Sequence, residues 1–279
     1  MFRPIVVSAA AIAVLSAHSA FAGQGSEWNT SGGDRQNTRS QPSEHTLSAA
    51  NVNKLAVKWA VTTDGDVSAT PAVDSDTVYF PDWGGYVSAV NKLTGALKWK
   101  TKLSTITGVP FDKSRSTPAV TDDQIIFGTQ GAILAGGGPG GKVVALKKAT
   151  GAVAWITQAD AHFAAIITQS ANVFDGRVYV GVASQEEALA AFVPGYQLSF
   201  RGSMLALDAA TGQILWKTYV APPGYTGNAI WGQHGLHRHQ AQAALHRYRQ
   251  QLFGAAAGAG LRSGRWGRSD SQGGLLSSR

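Results

Sequence analysis

The chain has 279 residues, 44% hydrophobic and 15% charged, a globular composition that excludes a disordered chain. It contains no Cys, which excludes disulfides, a catalytic thiol, a Cys-built metal site and a c-type haem. The formal charge of +7 is not a nucleic-acid footprint: residues 232–279 carry seven Arg, no Lys and one acid (Asp270), while residues 1–231 hold 17 bases against 16 acids.

Residues 1–22 open with Arg3, continue as an apolar run from Ile5 to Ala17, and end in Ala20-Phe21-Ala22. That order is the pattern of a secretory signal peptide. The apolar run is too short to span a bilayer comfortably, so no stable membrane anchor is expected. Cleavage after Ala22 would leave a chain starting near Gly23, periplasmic or secreted.

One pattern then occurs three times, as Ala89-Val-Asn-Lys-Leu-Thr-Gly-Ala-Leu-Lys-Trp99, Ala145-Leu-Lys-Lys-Ala-Thr-Gly-Ala-Val-Ala-Trp155 and Ala206-Leu-Asp-Ala-Ala-Thr-Gly-Gln-Ile-Leu-Trp216. The copies are 56 and 61 residues apart. Each follows a second shared unit, at Thr70–Phe80, Thr117–Phe127 and Gln169–Tyr179. Units in a fixed order at such spacing mark a repeat architecture. Short apolar runs broken by Asp/Gly or Thr-Gly turns read as strands, and no part of residues 50–231 has sustained helical periodicity with caps. The Gly of each Thr-Gly supplies the positive φ that closes a hairpin. Ala and Trp then fall on opposite arms, the small residue leaving room for a ring that wedges against the neighbouring sheet.

The fold class is therefore all-β, a partial β-propeller. A complete propeller needs about 4–8 blades of four strands, and residues 50–231 supply about three. Trp99, Trp155 and Trp216 are expected to be buried in equivalent places. Three blades form an incomplete ring with an exposed apolar flank, expected either to be completed by another chain or to reflect a truncated gene product.

The Thr-Gly-x-x-x-Trp unit resembles the tryptophan docking motif of the quinoproteins, the pyrroloquinoline-quinone (PQQ) dehydrogenases. Trp28-Asn-Thr-Ser-Gly-Gly-Asp-Arg-Gln-Asn-Thr-Arg39 and the Leu47–Trp59 segment look like the start of those domains. Gly65–Val73, Tyr79–Gly85 and Ser199-Phe-Arg-Gly-Ser203 resemble the polyvinyl-alcohol dehydrogenase branch, so the likeness covers residues 28–232. It implies an eight-bladed propeller carrying PQQ and Ca²⁺ on its axis, which oxidises alcohols and passes the electrons to a cytochrome c.

Through that resemblance, Arg115 matches an Arg that binds PQQ and assists the chemistry, as a guanidinium can by holding a quinone oxygen or carboxylate. Its bland alternative is an Arg on a surface turn. Thr168 matches a Thr that hydrogen-bonds a PQQ carboxylate, or is an ordinary strand Thr. Glu186 stands 18 residues after Thr168, where the family has its metal-ligating Glu, with Glu187 as the alternative ligand; Ca²⁺ favours such carboxylate oxygens. Trp231 matches the Trp on which the PQQ ring stacks, or is a blade-packing ring. The chain also departs from the family. Val109 and Pro110 stand where an adjacent Cys pair is common, and Ser68 replaces a PQQ-contacting Glu. The catalytic Asp and a metal-binding Asn belong to later blades.

After Gly232 the composition changes. Residues 233–279 lack Val, Ile, Thr, Pro, Lys, Glu, Asn and Met, and hold four of the seven His. β-strands need several of the missing types. The plain reading is a disordered basic tail. The sharper reading is a one-base frameshift over Gln233 to Phe253, because the shifted frame can restore a strand-like pattern containing Gly-Asn-Asn-Tyr-Ser. The organisation expected is thus a signal peptide at 1–22, a PQQ-repeat portion at 23–231 and an aberrant tail at 232–279. The function expected is that of the N-terminal portion of a PQQ-dependent alcohol dehydrogenase, without turnover as written. Its partners would be an alcohol and an external acceptor such as cytochrome c. A non-enzymatic periplasmic propeller scaffold is the alternative.

Overall fold

The computed structural model describes residues 27–34, 36–131, 133, 138 and 140–232; the leader and the tail lie outside them. It contains three antiparallel sheets in sequence order, each made from one copy of the two repeated units. The first sheet runs β1 (Ala72–Val73), β2 (Thr77–Pro81), β3 (Tyr86–Asn91) and β4 (Leu97–Lys102). The second runs β5 (Ala119–Val120), β6 (Gln124–Gly128), β7 (Lys142–Lys147) and β8 (Val153–Gln158). The third runs β10 (Asn172–Phe174), β11 (Arg177–Ser184), β12 (Ser203–Asp208) and β13 (Ile214–Tyr219), with β9 (Ala165–Ile166) pairing the far end of β11. These are meandering four-stranded blades, as the repeat predicts. Two short α-helices lie between the strands, α1 (Leu103–Thr107) and α2 (Glu186–Phe192).

The repeated hairpin does what its sequence suggests. Ala89 pairs with Trp99, Ala145 with Trp155 and Ala206 with Trp216 across β3–β4, β7–β8 and β12–β13. A register shift follows each Ala. Gly95, Gly151 and Gly212 sit at φ 73°, 71° and 73°, the left-handed region that an L side chain enters only at a cost. Trp99 and Trp155 each reach forward to the next blade. Trp99 Nε1 donates to Lys148 O at 2.8 Å, and a Cβ on Gly151 would lie 2.5 Å from the Trp99 ring. Trp155 repeats this on the third blade, with Nε1 3.0 Å from Ala209 O and its ring over Gly212. Two residues on, Thr101 and Thr157 each donate a hydroxyl to the same glycine's carbonyl, at 2.8 and 2.6 Å. Trp59, ahead of the first blade, docks likewise on Gly95 and donates to Lys92 O at 3.0 Å.

One expectation fails at the third blade. Trp99 and Trp155 are 8% and 7% exposed, but Trp216 is 36% exposed. Its repeat is intact, but among the described residues no fourth turn covers the ring.

Strand alternation explains the core. In the second blade Ile125, Phe127, Val144 and Leu146 face the first blade, joining Tyr79, Val87, Trp99 and Leu103. Ile126, Val143 and Ala145 point the other way and meet Val178, Val180, Val182, Leu205 and Leu207 of the third. A sheet buried on both faces reads as a continuous apolar run, and every residue of β6 is buried.

Candidate functional site

In a four-stranded meander, the second-to-third strand connection and the link to the next blade emerge at one end. The Thr-Gly turns emerge at the other. Arg115 lies between β4 and β5, Thr168 between β9 and β10, Glu186 on the β11–β12 connection and Trp231 after β13. The topology therefore brings all four candidates to one end of the blades, opposite the docking turns.

Arg115 rides on a turn fixed by two buried serines. Ser114 Oγ lies 3.1 Å from Ser116 Oγ, and Ser116 Oγ both donates to Gly128 O at 3.1 Å and accepts from Gly128 N at 3.0 Å. The turn holds the Arg115 guanidinium over the Trp231 ring, 5.5 Å from its centroid. At that distance the ring quadrupole attracts the cation. Trp231 is 39% exposed and follows Ile230, whose N donates to Val182 O at 3.1 Å. Ile230 itself packs where any side chain on Gly181 would stand.

Thr168 is buried, and its Oγ1 has no hydrogen-bond partner. Desolvation without a partner is costly, and the buried hydroxyls of Thr117, Thr129 and Ser203 share that state. A polar atom of a ligand would satisfy Thr168.

Glu186 opens α2 and is 1% exposed. Its carboxylate is held by the chain itself. Ser199 N lies 3.0 Å from both oxygens and Phe200 N donates to Oε2 at 2.7 Å. The hydroxyls of Ser199 and Tyr196 donate to Oε1 at 2.7 and 2.9 Å. Burial pushes this carboxyl up, but the bonds from Ser199, Phe200 and Tyr196 outweigh it and leave it below the ordinary glutamate value. His162 completes the cluster. Ala164 N donates to its Nδ1 at 3.2 Å, which puts the proton on Nε2, 2.9 Å from Ser199 Oγ. The serine's proton is directed to Glu186, so this Ser–His–Glu grouping is not arranged to activate a nucleophile.

Glu187, next in sequence, is exposed. Burial raises its carboxyl somewhat and the positive charge of Arg115 pulls it partly back. The free carboxylate near the Arg115–Trp231 pair is thus Glu187. Ser68 accepts from Trp83 Nε1 at 2.7 Å. Lys113 Nζ lies 4.4 Å from the centre of that same ring.

A quinone with carboxylates matches part of this set: a cation, an exposed ring beneath it and a buried hydroxyl without a partner. A divalent cation does not fit. Both Glu186 oxygens are occupied, and among the described residues no three His, Asp or Glu side chains come together. Sequence reasoning gave no role to His162, Tyr196 or Lys113. Ser199 lay inside a motif quoted for its family likeness, with no function attached.

A family model described as outer membrane protein assembly factor BamB, built on PQQ repeats, matches residues 23–194 and 142–230. A polyvinylalcohol dehydrogenase of Sphingopyxis sp. is 30% identical over 230 residues, 76% of this chain and 32% of that protein. The assembly factor BamB of Yersinia pestis is 28% identical over 62% of this chain and 38% of its own length. The solved quinohemoprotein alcohol dehydrogenase of Pseudomonas putida HK5 superposes with a TM-score of 0.56 at 25% identity, over 70% of this chain and 27% of that one. The chain thus spans about a third of the length of the dehydrogenases it matches.

Proposed function

The chain belongs to the PQQ-repeat propeller family, and from that premise we propose that it is the N-terminal portion of a PQQ-dependent alcohol dehydrogenase. In this reading it contributes one side of a cofactor site. Arg115 holds a quinone oxygen or carboxylate, Trp231 lies under the ring, and the buried Thr168 hydroxyl meets a carboxylate. When bound, PQQ supplies a two-electron acceptor for alcohol oxidation, and an external protein such as a cytochrome c takes the electrons onward. The observation that carries the reading is the Arg115 guanidinium over an exposed Trp231 on the end that also buries an unpartnered Thr168. Residues 1–22 would act as the export leader, residues 23–231 as the propeller portion and residues 232–279 as a frameshifted tail, in a periplasmic or secreted protein.

The chain alone is expected to turn over no alcohol. A propeller's axial site draws on blades all around the ring, and the three blades here offer one side of it. Removing a general base typically costs about 10²–10⁴ in rate, and loose positioning of the reactants adds to that. The test is titration of the purified chain with PQQ, with and without Ca²⁺, followed by quenching of Trp fluorescence. Quenching that is lost in Trp231→Phe and weakened in Arg115→Ala supports the reading; no quenching in the unsubstituted chain refutes it. PQQ-dependent alcohol oxidation with an artificial acceptor would show that the three blades suffice. A second reading, a non-enzymatic propeller scaffold, is favoured by one observation: Glu186 is occupied by protein donors rather than open to a metal.

A further inference from the structure

We propose that Glu186 is a positioning residue for Trp231, acting through the Leu198–Gly202 segment, and not a metal ligand. It rests on the reading above only in taking Trp231 as the ring a ligand would meet. The physical case starts from the carboxylate. Ionised, it only accepts, and here it faces four donors, two backbone N–H groups and two hydroxyls, all from residues 196–200. Hydrogen bonds to a buried charge are the strong kind, and these four come from a segment of five residues.

The segment so fixed is what grips the approach to Trp231. Leu198 O accepts from Thr226 Oγ1 at 2.7 Å, and Phe200 O accepts from Gly227 N at 2.9 Å. Gly202 N donates to Asn228 O at 3.0 Å and to Asn228 Oδ1 at 2.9 Å. Arg201 and Asn228 form an isolated parallel bridge. Two glycines permit the close approach: a Cβ on Gly202 would lie 2.8 Å from the Ala229 backbone, and one on Gly227 would lie 2.7 Å from Leu198 Cδ1. Every residue from Thr226 to Ala229 therefore touches the segment that Glu186 holds. Trp231 follows two residues later, with Ile230 N to Val182 O as a further backbone tie. If the carboxylate is neutralised, Ser199 and Phe200 can shift, and the shift passes to the indole rather than to the blade cores.

The experiment uses the full chain labelled with 5-fluorotryptophan and ¹⁹F NMR, with the resonances of Trp231, Trp99 and Trp155 identified by single Trp→Phe replacements. Glu186→Gln puts an amide N–H₂ against N–H and O–H donors. The expected result is a Trp231 resonance that moves or splits while those of Trp99 and Trp155 stay. Ser199→Ala and Tyr196→Phe, each removing one donor, should move it less and in the same direction. They carry the same criterion if Glu186→Gln fails to fold. A folded variant set in which Trp231 does not move overturns the proposal. So does a Ca²⁺-induced shift in the unsubstituted chain that Glu186→Gln abolishes while leaving the calcium-free Trp231 resonance in place. Failure of PQQ to quench fluorescence would refute the cofactor reading and leave this result standing.

Discussion

The second and third blades carry the same Thr-Gly-x-x-x-Trp hairpin, yet their tryptophans live in different surroundings. Trp155 is 7% exposed, with its indole N–H on Ala209 O and its ring on Gly212. Trp216 pairs with Ala206 in the same register as Trp155 with Ala145, and is 36% exposed. The difference shows that the motif is half of an interface. The local sequence fixes the hairpin and aims the ring, but only the next blade's glycine turn buries it.

Truncating the three rings tests this directly. Trp155→Ala should destabilise the chain by about 3–5 kcal/mol, the range for truncating a buried aromatic, and Trp99→Ala should do the same. Trp216→Ala should cost about 1 kcal/mol or less, because no glycine turn among the described residues covers the ring. Chemical denaturation of the three variants decides it; equal losses at Trp155 and Trp216 would mean that the next blade's turn adds nothing. Gly212→Ala comes next. It forces an L residue to φ 73° and puts a Cβ 2.4 Å from the Trp155 ring. Together these should cost about 2–4 kcal/mol by the same measurement. Gly176→Ala is the control, since it has a similar φ of 67° and nothing within 4 Å of the added carbon.

The legible part of the molecule follows from the same distinction. Strand periodicity, the Ala–Trp pairing and the positive φ of Gly95, Gly151 and Gly212 are local, so the sequence declares them. The number of blades is also local, because each blade repeats both units. The burial of Trp216 was not legible, since it depends on a surface from another repeat. Trp59 was missed as a docking ring because no Thr-Gly stands before it to flag it. At the site, the resemblance brought Arg115, Thr168, Glu186 and Trp231 to one end of the fold. It could not reveal that Ser199 and Phe200 turn their N–H groups onto Glu186. That depends on how the β11–β12 connection folds back, and no spacing rule encodes it.

One hydrogen bond further separates the covered rings from Trp216. Thr157 Oγ1 donates to Gly212 O at 2.6 Å and Thr101 Oγ1 to Gly151 O at 2.8 Å. Thr157→Val and Thr101→Val should each cost about 1 kcal/mol. Thr218→Val, two residues after Trp216, should stay within about 0.5 kcal/mol, as at an ordinary surface position. The first interface shows that the bond is dispensable: Val61 stands two residues after Trp59, and that ring still reaches Gly95.

The last and smallest effect concerns a junction residue that has no counterpart in the next repeat. Asp112, five residues before the shared Thr117 unit, is fully buried between the first two blades; the residue five before Gln169 is Ala164. Asp112 Oδ1 accepts from Lys113 N at 3.0 Å and Gly131 N at 2.9 Å, while Oδ2 has no partner. Burial raises this carboxyl above its ordinary value of 3.8, and the donors offset it only in part. A raised folded-state pKa means that the folded chain holds the proton more tightly than the unfolded one. Stability from this group is therefore full below pH 3.8 and is lost as pH rises through the folded value. At neutral pH the ionised, half-satisfied carboxylate works against the fold. Asp112→Asn keeps an oxygen for both N–H groups and removes the charge, as Ala164 removes it one junction later. The variant should be more stable than the parent at neutral pH, with the gain shrinking towards pH 3.8. Denaturation midpoints across that range test it, and a gain that persists unchanged into acid would mean the charge is not its source.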